Sequence, residues 1–402
     1  MSNSKQGTGS GTALVNAGRQ PEWTGAVVNP PVWRASTHLY PTVAALKDGV
    51  KRNSDGEFFY GRRGSPTQWA LSNALTQLEP GAEGTVLYPS GVAAIAGSLM
   101  AVLSPGDVLL VTDNVYEPSR SMATGLLKRF GVETRFVDPL DVAGFADNFC
   151  ERTRAVLLES PGSLTMEVQD VPALAAIARE KGAVSLIDNT WATPLGFAAL
   201  EHGCDIAIMA LTKHVGGHSD LMMGSASAKG PLYRKLRHTA QALGQVVSPD
   251  DAALALRGLR TMGLRLERTM QTALHLAQWL DARPDVAHVL CPFLPGSPGH
   301  DLWNRDFTGG CGLFSIILKG RDQGARARLI DALELFGIGY SWGGFESLAI
   351  PFDPASIRTS SSWPPTDWDI GDRWGIRLSI GLEDAADLIA DLDRGFAAME
   401  KI

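Results

Sequence analysis

The chain has 402 residues, of which 45% are hydrophobic, and its 36 basic and 43 acidic side chains give a net charge of −7. That length and composition allow a large buried core and predict two or three domains. A mildly acidic chain with scattered basic residues and no apolar run long enough to cross a bilayer excludes nucleic acid and membrane as expected partners. The four cysteines form no CxxC pair, which argues against a thiolate metal site and fits a reducing cytoplasm.

Short apolar runs alternate with helix-period segments from about residue 65 to about residue 250. One helix is marked by Leu71, Leu75 and Leu78 on a common face, and another is predicted over 92–103. Unbroken apolar strands separated by helices imply an α/β fold, with a mainly parallel sheet covered by helices on both faces. The predicted strands are, in chain order, Thr85–Tyr88, Val108–Val111, Ala155–Leu158, Val184–Ile187 and Ile206–Met209.

The C-terminal part of the chain predicts a smaller α+β domain. Apolar and polar residues alternate from Ile376 to Ile380, which is typical of a strand with one buried face. A closing helix follows, because apolar residues recur there at helical spacing on one stripe. These residues are Leu388, Leu392, Phe396 and Met399.

Chemically capable side chains follow the predicted strands at the points where the strands end. In an open α/β sheet, ligands bind beyond the carboxyl ends of the strands. An acid, an amine, an aromatic ring and a helix N-terminus are therefore expected to share one rim. They are Ser90-Gly91 at the start of a helix, Tyr116, the loop Glu159-Ser160-Pro161-Gly162-Ser163, Asp188, and Thr212-Lys213.

Lys213 is the most informative of these residues. It follows a buried strand and precedes Gly216-Gly217, so its amine is expected in a partly desolvated cleft. Burial lowers the pKa of a lysine and makes it a nucleophile able to form a Schiff base, whereas most lysines are solvated surface charges. Asp188 favours the first interpretation, because enzymes that use pyridoxal phosphate (PLP) need both such a lysine and an acid beside the pyridine nitrogen.

Each of the other candidates has an ordinary structural interpretation as well. Ser90-Gly91 offers unpaired N–H groups for an anion, but most such pairs are simple helix caps. Asp188 taken alone could be a cap or turn residue. His214 and His218 have a spacing seen in metal sites, but Gly216-Gly217 interrupts any helix between them, and no metal site is expected.

These residues belong to motifs that extend along nearly the whole chain. The segment from Asp205 to Ser219, which contains Thr212-Lys213-His214, resembles the PLP-attachment signature of the Cys/Met-metabolism family. The similarity begins at about Leu14 and continues to the C-terminus. Further matches are Tyr60-Gly61-Arg62, Pro89-Ser90-Gly91-Val92-Ala93-Ala94, Asp188-Asn189-Thr190-Trp191, Arg257-Gly258-Leu259-Arg260-Thr261, Gly343-Gly344-Phe345-Glu346-Ser347 and Arg377-Leu378-Ser379-Ile380-Gly381-Leu382-Glu383-Asp384.

The resemblance implies a fold-type-I PLP-dependent transferase, which is aspartate-aminotransferase-like in architecture. It implies an N-terminal arm at 1–64 that reaches a neighbouring subunit, a large PLP-binding domain at 65–255 and a C-terminal α+β domain at 256–402. It also implies a cytoplasmic homotetramer, built as a dimer of dimers that share active sites, and a small amino acid as substrate.

The same resemblance assigns roles to individual residues. Lys213 would bind PLP covalently and move protons, Asp188 would pair with the ring nitrogen, and Tyr116 would stack on the ring. Tyr60, from the neighbouring subunit, would complete the catalytic set. The expected contacts to the cofactor are Gly91, Val92, Thr212, Ser163, Tyr60 and Arg62, and those to the substrate carboxylate are Arg377, Trp342 and Ser341.

Three segments resemble the bacterial β-lyase branch of the family rather than the γ-acting branches. They imply β-elimination of L-cystathionine to homocysteine, pyruvate and ammonia, as in methionine biosynthesis. A broader cysteine-S-conjugate β-lyase and a γ-synthase or γ-lyase stay as alternatives. The three segments are Tyr116-Glu117-Pro118-Ser119, Ser160-Pro161-Gly162-Ser163-Leu164-Thr165-Met166-Glu167-Val168 and Ser341-Trp342-Gly343-Gly344.

One position departs from the pattern of the family. Ala210 stands two residues before Thr212, where many relatives have a serine. The missing hydroxyl removes one phosphate contact, at a net cost of about 1 kcal/mol, which the remaining contacts can absorb.

Overall fold

All five strands predicted for the large domain lie in one seven-stranded sheet. The structure is a computed structural model, and it describes residues 9–51, 56–320, 322–353, 355, 358–363 and 374–399. In chain order the strands are β1 (Gly84–Tyr88), β2 (Val108–Thr112), β3 (Glu133–Val137), β4 (Thr153–Glu159), β5 (Val184–Asp188), β6 (Ile206–Ala210) and β7 (Gly224–Ala228).

The strand order is β1-β7-β6-β5-β4-β2-β3. Strands β3, β2, β4, β5 and β6 pair in parallel, and β7 is antiparallel to both of its neighbours, β6 and β1. The predicted mainly parallel sheet is therefore confirmed. The carboxyl ends of β4, β5 and β6 meet at one edge, where Glu159, Asp188 and Ala210 end their strands.

The helices lie on both faces of this sheet and around the smaller domain. They are α1 (Ser10–Asn16), α2 (Pro21–Thr24), α3 (Val43–Lys51), α4 (Pro66–Leu78), α5 (Gly91–Val102), α6 (Glu117–Met122), α7 (Val142–Phe145), α8 (Val171–Glu180), α9 (Thr193–Gly196), α10 (Gly230–Ala242), α11 (Pro249–Leu259), α12 (Met262–Asp281), α13 (His300–Asp306), α14 (Gln323–Asp331) and α15 (Ala385–Met399). Short 3-10 turns occur at Gly61–Arg63 and Ala146–Asn148, and a π-helical turn at Ala123–Leu127.

Side chains alternate along the strands between two hydrophobic cores. In β2, Leu110 packs into the core that contains residues of α4, α8, α11 and α12, whereas Leu109 and Val111 pack under α5, α6 and α10. Full burial of a side chain of this size stabilises the fold by about 1.5–3 kcal/mol. A strand with both faces covered is mostly apolar, which is why these runs were recognisable in the sequence.

The C-terminal part forms a four-stranded antiparallel sheet with helices α14 and α15 beside it. Its strands are β8 (Val286–Leu290), β9 (Leu313–Leu318), β10 (Leu348–Phe352) and β11 (Gly375–Ser379), in the order β10-β11-β9-β8. The predicted strand at 376–380 is β11, which begins and ends one residue earlier. Leu388, Leu392, Phe396 and Met399 are buried on one side of α15, so the predicted α+β domain is confirmed.

The predicted division at 255/256 falls inside α11, which packs against α4. We propose the arm at 1–64, the large domain at 65–255 and the small domain at 256–402 as the domain organisation, with α11 as the helix in which the large domain ends. None of the helices in the described ranges is long and apolar enough to span a membrane.

Asp113 joins the two domains just beyond β2. Its side chain is buried, and its Oδ2 accepts hydrogen bonds from the backbone N–H groups of Thr359 (2.8 Å), Ser360 (2.7 Å) and Ser361 (3.0 Å). Arg120 forms an ion pair with the same carboxylate. Burial raises the pKa of Asp113, but the Ser360 N–H, Arg120 and the adjoining N–H groups outweigh it and lower the pKa to about 2.

Asp113→Asn should weaken the contact between Asp113 and the backbone of residues 359–361 in a pH-dependent way. At pH 7 we expect the free energy of unfolding to fall by on the order of 2 kcal/mol, because a charged acceptor becomes neutral. The folded-state pKa lies below the unfolded value, so the stabilisation is complete above about pH 4 and is lost as the pH falls towards 2. Urea midpoints of both proteins should therefore converge in acid. Exposed Asp147→Asn is the control, and an Asp113→Asn deficit that persists unchanged in acid contradicts the assignment.

Candidate active site

A cavity of about 310 Å³ opens between the carboxyl edge of the large sheet and the small domain. The large domain supplies the ends of β4, β5 and β6 and the start of α5, and the small domain supplies Ser341, Trp342 and Arg377. Both domains are thus needed to form it. The predicted site residues that line it are Gly91, Val92, Tyr116, Ser163, Asp188, Thr212, Lys213, Ser341, Trp342 and Arg377.

Lys213 lies in a tight turn that follows β6. The N–H of Lys213 bonds the carbonyl of Ala210 (3.2 Å), and the N–H of Gly217 bonds the carbonyl of Lys213 (2.7 Å). Its Nζ donates to the hydroxyl of Ser341 at 2.7 Å. Burial and the charge of Arg377 lower the pKa of Lys213 to about 8, although Asp188 opposes the shift. The predicted desolvated amine is therefore present in the folded chain.

Asp188 ends β5 and faces the same cavity. Its Oδ1 accepts hydrogen bonds from the N–H of Thr190 (3.0 Å) and from the Thr190 hydroxyl. The same hydroxyl oxygen accepts the N–H of Ala210 at 2.8 Å, which ties the ends of β5 and β6 together. Burial raises the pKa of Asp188, and Thr190 and Lys213 oppose this. The carboxylate is thus held in a fixed orientation near the amine.

The N-terminus of α5 forms one wall of the cavity. Ser90 caps the helix by accepting the N–H of Ala93 at 3.1 Å. Across the described ranges, the N–H groups of Gly91 and Val92 have no hydrogen-bond partner. A Cβ at position 91 would lie 2.7 Å from the Cβ of Ala210, so glycine is required there. Unpaired N–H groups at a helix N-terminus form an anion site.

Tyr116 and Glu159 contact each other beside the cavity. The backbone N–H of Tyr116 donates to Oε2 of Glu159 at 2.7 Å. The Tyr116 side chain is 42% exposed, and its pKa is raised by burial and by the nearby carboxyl groups of Glu159 and Asp188. An exposed aromatic ring at a cavity rim offers a surface on which a flat ligand can stack.

Arg377 projects from β11 towards the cavity. Its Nη2 donates to the carbonyl of Ser341 at 2.7 Å, and its buried Nε has no hydrogen-bond partner among the described residues. Burial lowers the pKa of Arg377 to about 10. A buried guanidinium with an unused donor is suited to a carboxylate, which can accept two parallel hydrogen bonds from it.

Thr212 and Ser163 line the cavity but also have backbone partners. The hydroxyl of Thr212 donates to the carbonyl of Met223 (3.2 Å) and accepts its N–H (3.1 Å). The N–H of Ser163 donates to the carbonyl of Asn114 at 2.9 Å. Their roles as cofactor contacts stay predictions.

The chain does not bring Tyr60 and Arg62 to its own cavity. Tyr60 is 45% exposed, and Nη1 of Arg62 donates to the carbonyl of Gln241 at 2.6 Å in a different groove. Both residues are expected to act in the cavity of a neighbouring subunit. The structure contains a single chain, so this role stays a prediction.

His214 and His218 have structural partners. Burial and Arg265 lower the pKa of His214 to about 3, and its ring lies 5.3 Å from the ring of Trp342. Nδ1 of His218 lies 2.8 Å from the carbonyl of Gly216. Within the described residues, no group of three or more His, Cys, Asp or Glu side chains is placed to hold a metal ion.

Glu159 and Thr190 are among the residues lining the cavity that had no role assigned from the sequence. Both were inside recognised segments, and Glu159 directly follows a predicted strand. The position of Glu159 at the end of a strand could have identified it, because Asp188 was selected by the same criterion.

Comparison with known proteins identifies the family of the chain. The Cys/Met metabolism PLP-dependent enzyme family matches residues 11–397. The chain belongs to this family. It is 45% identical over 389 residues to the cystathionine beta-lyase of Escherichia coli, with 96% of this chain and 98% of that protein covered. It is 43% identical to the cystathionine beta-lyase of Salmonella typhimurium, with the same coverage.

The fold agrees with solved structures of the family. The cystathionine gamma synthase of Xanthomonas oryzae pv. oryzae superposes with a TM-score of 0.87 and 32% sequence identity, covering 98% of this chain and 99% of that chain. The predicted fold type, PLP-dependent enzyme class and cofactor are therefore confirmed.

The observed residues fit PLP. The unpaired N–H groups of Gly91 and Val92 suit its phosphate, the exposed ring of Tyr116 suits its flat ring, and Asp188 suits its ring nitrogen. The amine of Lys213 is desolvated enough to form a covalent bond with its aldehyde. Each chemical part of the cofactor thus has a matching group at the cavity.

We expect the ε-amine of Lys213 in the protein without PLP to titrate near pH 8. Pulse labelling with an amine-selective acylating reagent across a pH series, followed by peptide mass spectrometry, measures this, with exposed Lys235 as internal reference. Arg377→Met should move the Lys213 midpoint upwards, because a neighbouring positive charge that disfavours the ammonium is removed. A midpoint that stays in place in this variant contradicts the electrostatic role of Arg377.

Proposed function

We propose that the chain catalyses the β-elimination of L-cystathionine. One cystathionine and one water give homocysteine, pyruvate and ammonia, so the reaction breaks the Cβ–S bond and consumes no oxidant or reductant. The proposal includes a role in methionine biosynthesis. The observation that carries it is the near full-length similarity to two cystathionine β-lyases, combined with a cavity that joins Lys213, Asp188 and Arg377.

When bound, PLP withdraws electrons from the α-carbon of an attached amino acid. Lys213 is the residue that moves protons. Its pKa of about 8 lets Nζ take the α-proton as a base and return a proton to the leaving sulfur as an acid at neutral pH. The Ser341 hydroxyl, 2.7 Å from Nζ, orients the amine while it is free.

Asp188 and Arg377 hold opposite ends of the reacting assembly. Asp188, fixed by Thr190, would hold a proton on the cofactor ring nitrogen. The unused Nε of Arg377, with Ser341 and Trp342 beside it, would bind the substrate α-carboxylate. The phosphate would bind at Gly91 and Val92, with Thr212 and Ser163 close by, and Tyr116 would stack on the ring.

A γ-acting enzyme is the second candidate. The observation that favours it is the TM-score of 0.87 to a cystathionine gamma synthase, because the β- and γ-acting members share this architecture. A broader cysteine-S-conjugate β-lyase uses the same residues and differs in the substrates it accepts.

Incubation of the PLP-loaded protein with L-cystathionine should give pyruvate and homocysteine in equal amounts, identified by chromatography of the derivatised keto acids. Lys213→Ala should reduce turnover by at least about 1000-fold, since both proton transfers lose their carrier. Lys235→Ala, an exposed lysine on α10, is the matched control. Formation of 2-oxobutyrate instead of pyruvate would establish the γ-acting alternative. Comparable rates on several S-substituted cysteines would establish the broader β-lyase.

We also propose that the enzyme is a cytoplasmic homotetramer built from two dimers that share active sites. The support is the apolar surface of the arm, where Leu39 is 93% exposed and Val43 68%. Exposed apolar patches of this kind mark association sites. In this arrangement Tyr60 and Arg62 reach the phosphate of the neighbouring subunit. Light scattering after size-exclusion chromatography reports the mass of the assembly.

Shared sites predict complementation between inactive chains. A hybrid dimer of Arg62→Ala and Lys213→Ala chains has one site in which both residues are native. Co-expression of these two variants should therefore give higher turnover than either variant alone at limiting PLP. Lys213→Ala with Asp188→Ala is the control, because both residues come from one chain and no hybrid site is intact. Equal behaviour of the two pairings would place Arg62 outside a shared site.

A further inference from the structure

Two carboxyl groups end neighbouring strands at the floor of the cavity. Glu159 ends β4 and Asp188 ends β5, and the two residues are registered partners in the parallel ladder. Registered residues on adjacent strands point to the same face, and both side chains line the cavity. The proposed reaction uses Asp188 and gives Glu159 no part.

The surroundings of the two groups differ. Asp188 accepts the N–H and the hydroxyl of Thr190, and the charge of Lys213 favours its ionised form. Within the described ranges, the carboxyl of Glu159 has a single hydrogen-bond partner, the backbone N–H of Tyr116 at 2.7 Å. Two adjacent half-buried carboxyl groups do not both ionise readily, and the less supported one keeps its proton.

The electrostatics identify which group keeps the proton. Burial and the charge of Asp188 raise the pKa of Glu159 well above its ordinary value, and the Tyr116 N–H opposes this. Burial also raises the pKa of Asp188, but Thr190 and Lys213 act against the shift. These opposing influences favour the negative charge on Asp188 rather than on Glu159.

We propose that Glu159 is a positioning residue that works as a neutral carboxylic acid. Its Oε2 holds the backbone of Tyr116, and with it the aromatic ring at the cavity rim, while the negative charge of the pair stays on Asp188. The inference rests on the PLP site of the proposed function but not on cystathionine as the substrate.

Two Glu159 variants test the positioning role through PLP binding to the apoprotein, followed by tryptophan fluorescence, and an Asp188 variant is compared with them through turnover. Glu159→Leu introduces an apolar side chain of similar size and leaves the Tyr116 N–H unpaired, and we expect about tenfold weaker binding, as for the loss of one hydrogen bond. Glu159→Gln should recover most of that loss, because its amide oxygen is a neutral acceptor. The same carboxyl-to-amide change in Asp188→Asn should instead lower turnover about 100-fold, because it removes the charge.

Infrared difference spectra of the apoprotein at pH 7 test the protonation state directly. Wild type minus Glu159→Gln should contain the carbonyl stretch of a protonated carboxylic acid. Glu133→Gln is the control, because Glu133 is a surface carboxylate of the same sheet paired with Arg135 and Arg152, and its spectrum should contain only bands of an ionised carboxylate.

The proposal fails if Glu159→Gln loses no protonated band, or if it weakens PLP binding as much as Glu159→Leu. Circular dichroism verifies that each variant is folded, and the infrared measurement decides the matter even if Glu159→Leu is not. Neither the PLP-binding measurement nor the infrared measurement uses cystathionine. A protein that satisfies both tests yet leaves cystathionine intact therefore contradicts the proposed substrate and not the role of Glu159.

Discussion

The cavity depends on the partial removal of the Lys213 ammonium from water. A lysine in solvent is protonated at neutral pH and cannot act as a nucleophile or a base. Here burial and Arg377 lower its pKa to about 8, while Asp188 limits the shift. A larger fraction of the amine is therefore neutral near pH 7 than for a lysine in solvent. The strand ends of the large sheet and the residues of the small domain together form the cavity that keeps this amine partly out of water.

Much of the large domain could be predicted because most of its strands are buried on both faces and form apolar runs in the sequence. The two strands that were missed show the limit of that signal. Strand β7 is fully buried, but its sequence Gly-Ser-Ala-Ser-Ala is made of small residues that form no apolar run. Strand β3 is at the edge of the sheet and includes the charged residues Glu133 and Arg135. Both segments are identified as strands by their hydrogen bonding to neighbouring strands, and the sequence does not reveal this pairing.

The site was predictable to a similar degree and for a related reason. Lys213, Asp188 and Tyr116 lie at or just after the ends of strands, so the rule for open sheets predicts that they lie together. The contact between Glu159 and Tyr116 was not predictable, because it depends on the register of β4 against β5 and on the path of a separate loop. The positions of Tyr60 and Arg62 depend on a second copy of the chain, and no property of one sequence supplies them.

The hydrogen bond from Lys213 to Ser341 has a mechanical consequence. It joins the two domains directly across the cleft, through the same nitrogen atom that reacts. When that nitrogen forms a covalent bond to another molecule, its hydrogen bond to Ser341 is lost. The small domain keeps its other contacts with the large domain, such as the hydrogen bond from Ser360 to Asp113. One contact across the cleft therefore depends on the chemical state of the reactive nitrogen, whereas the contacts made by Asp113 do not.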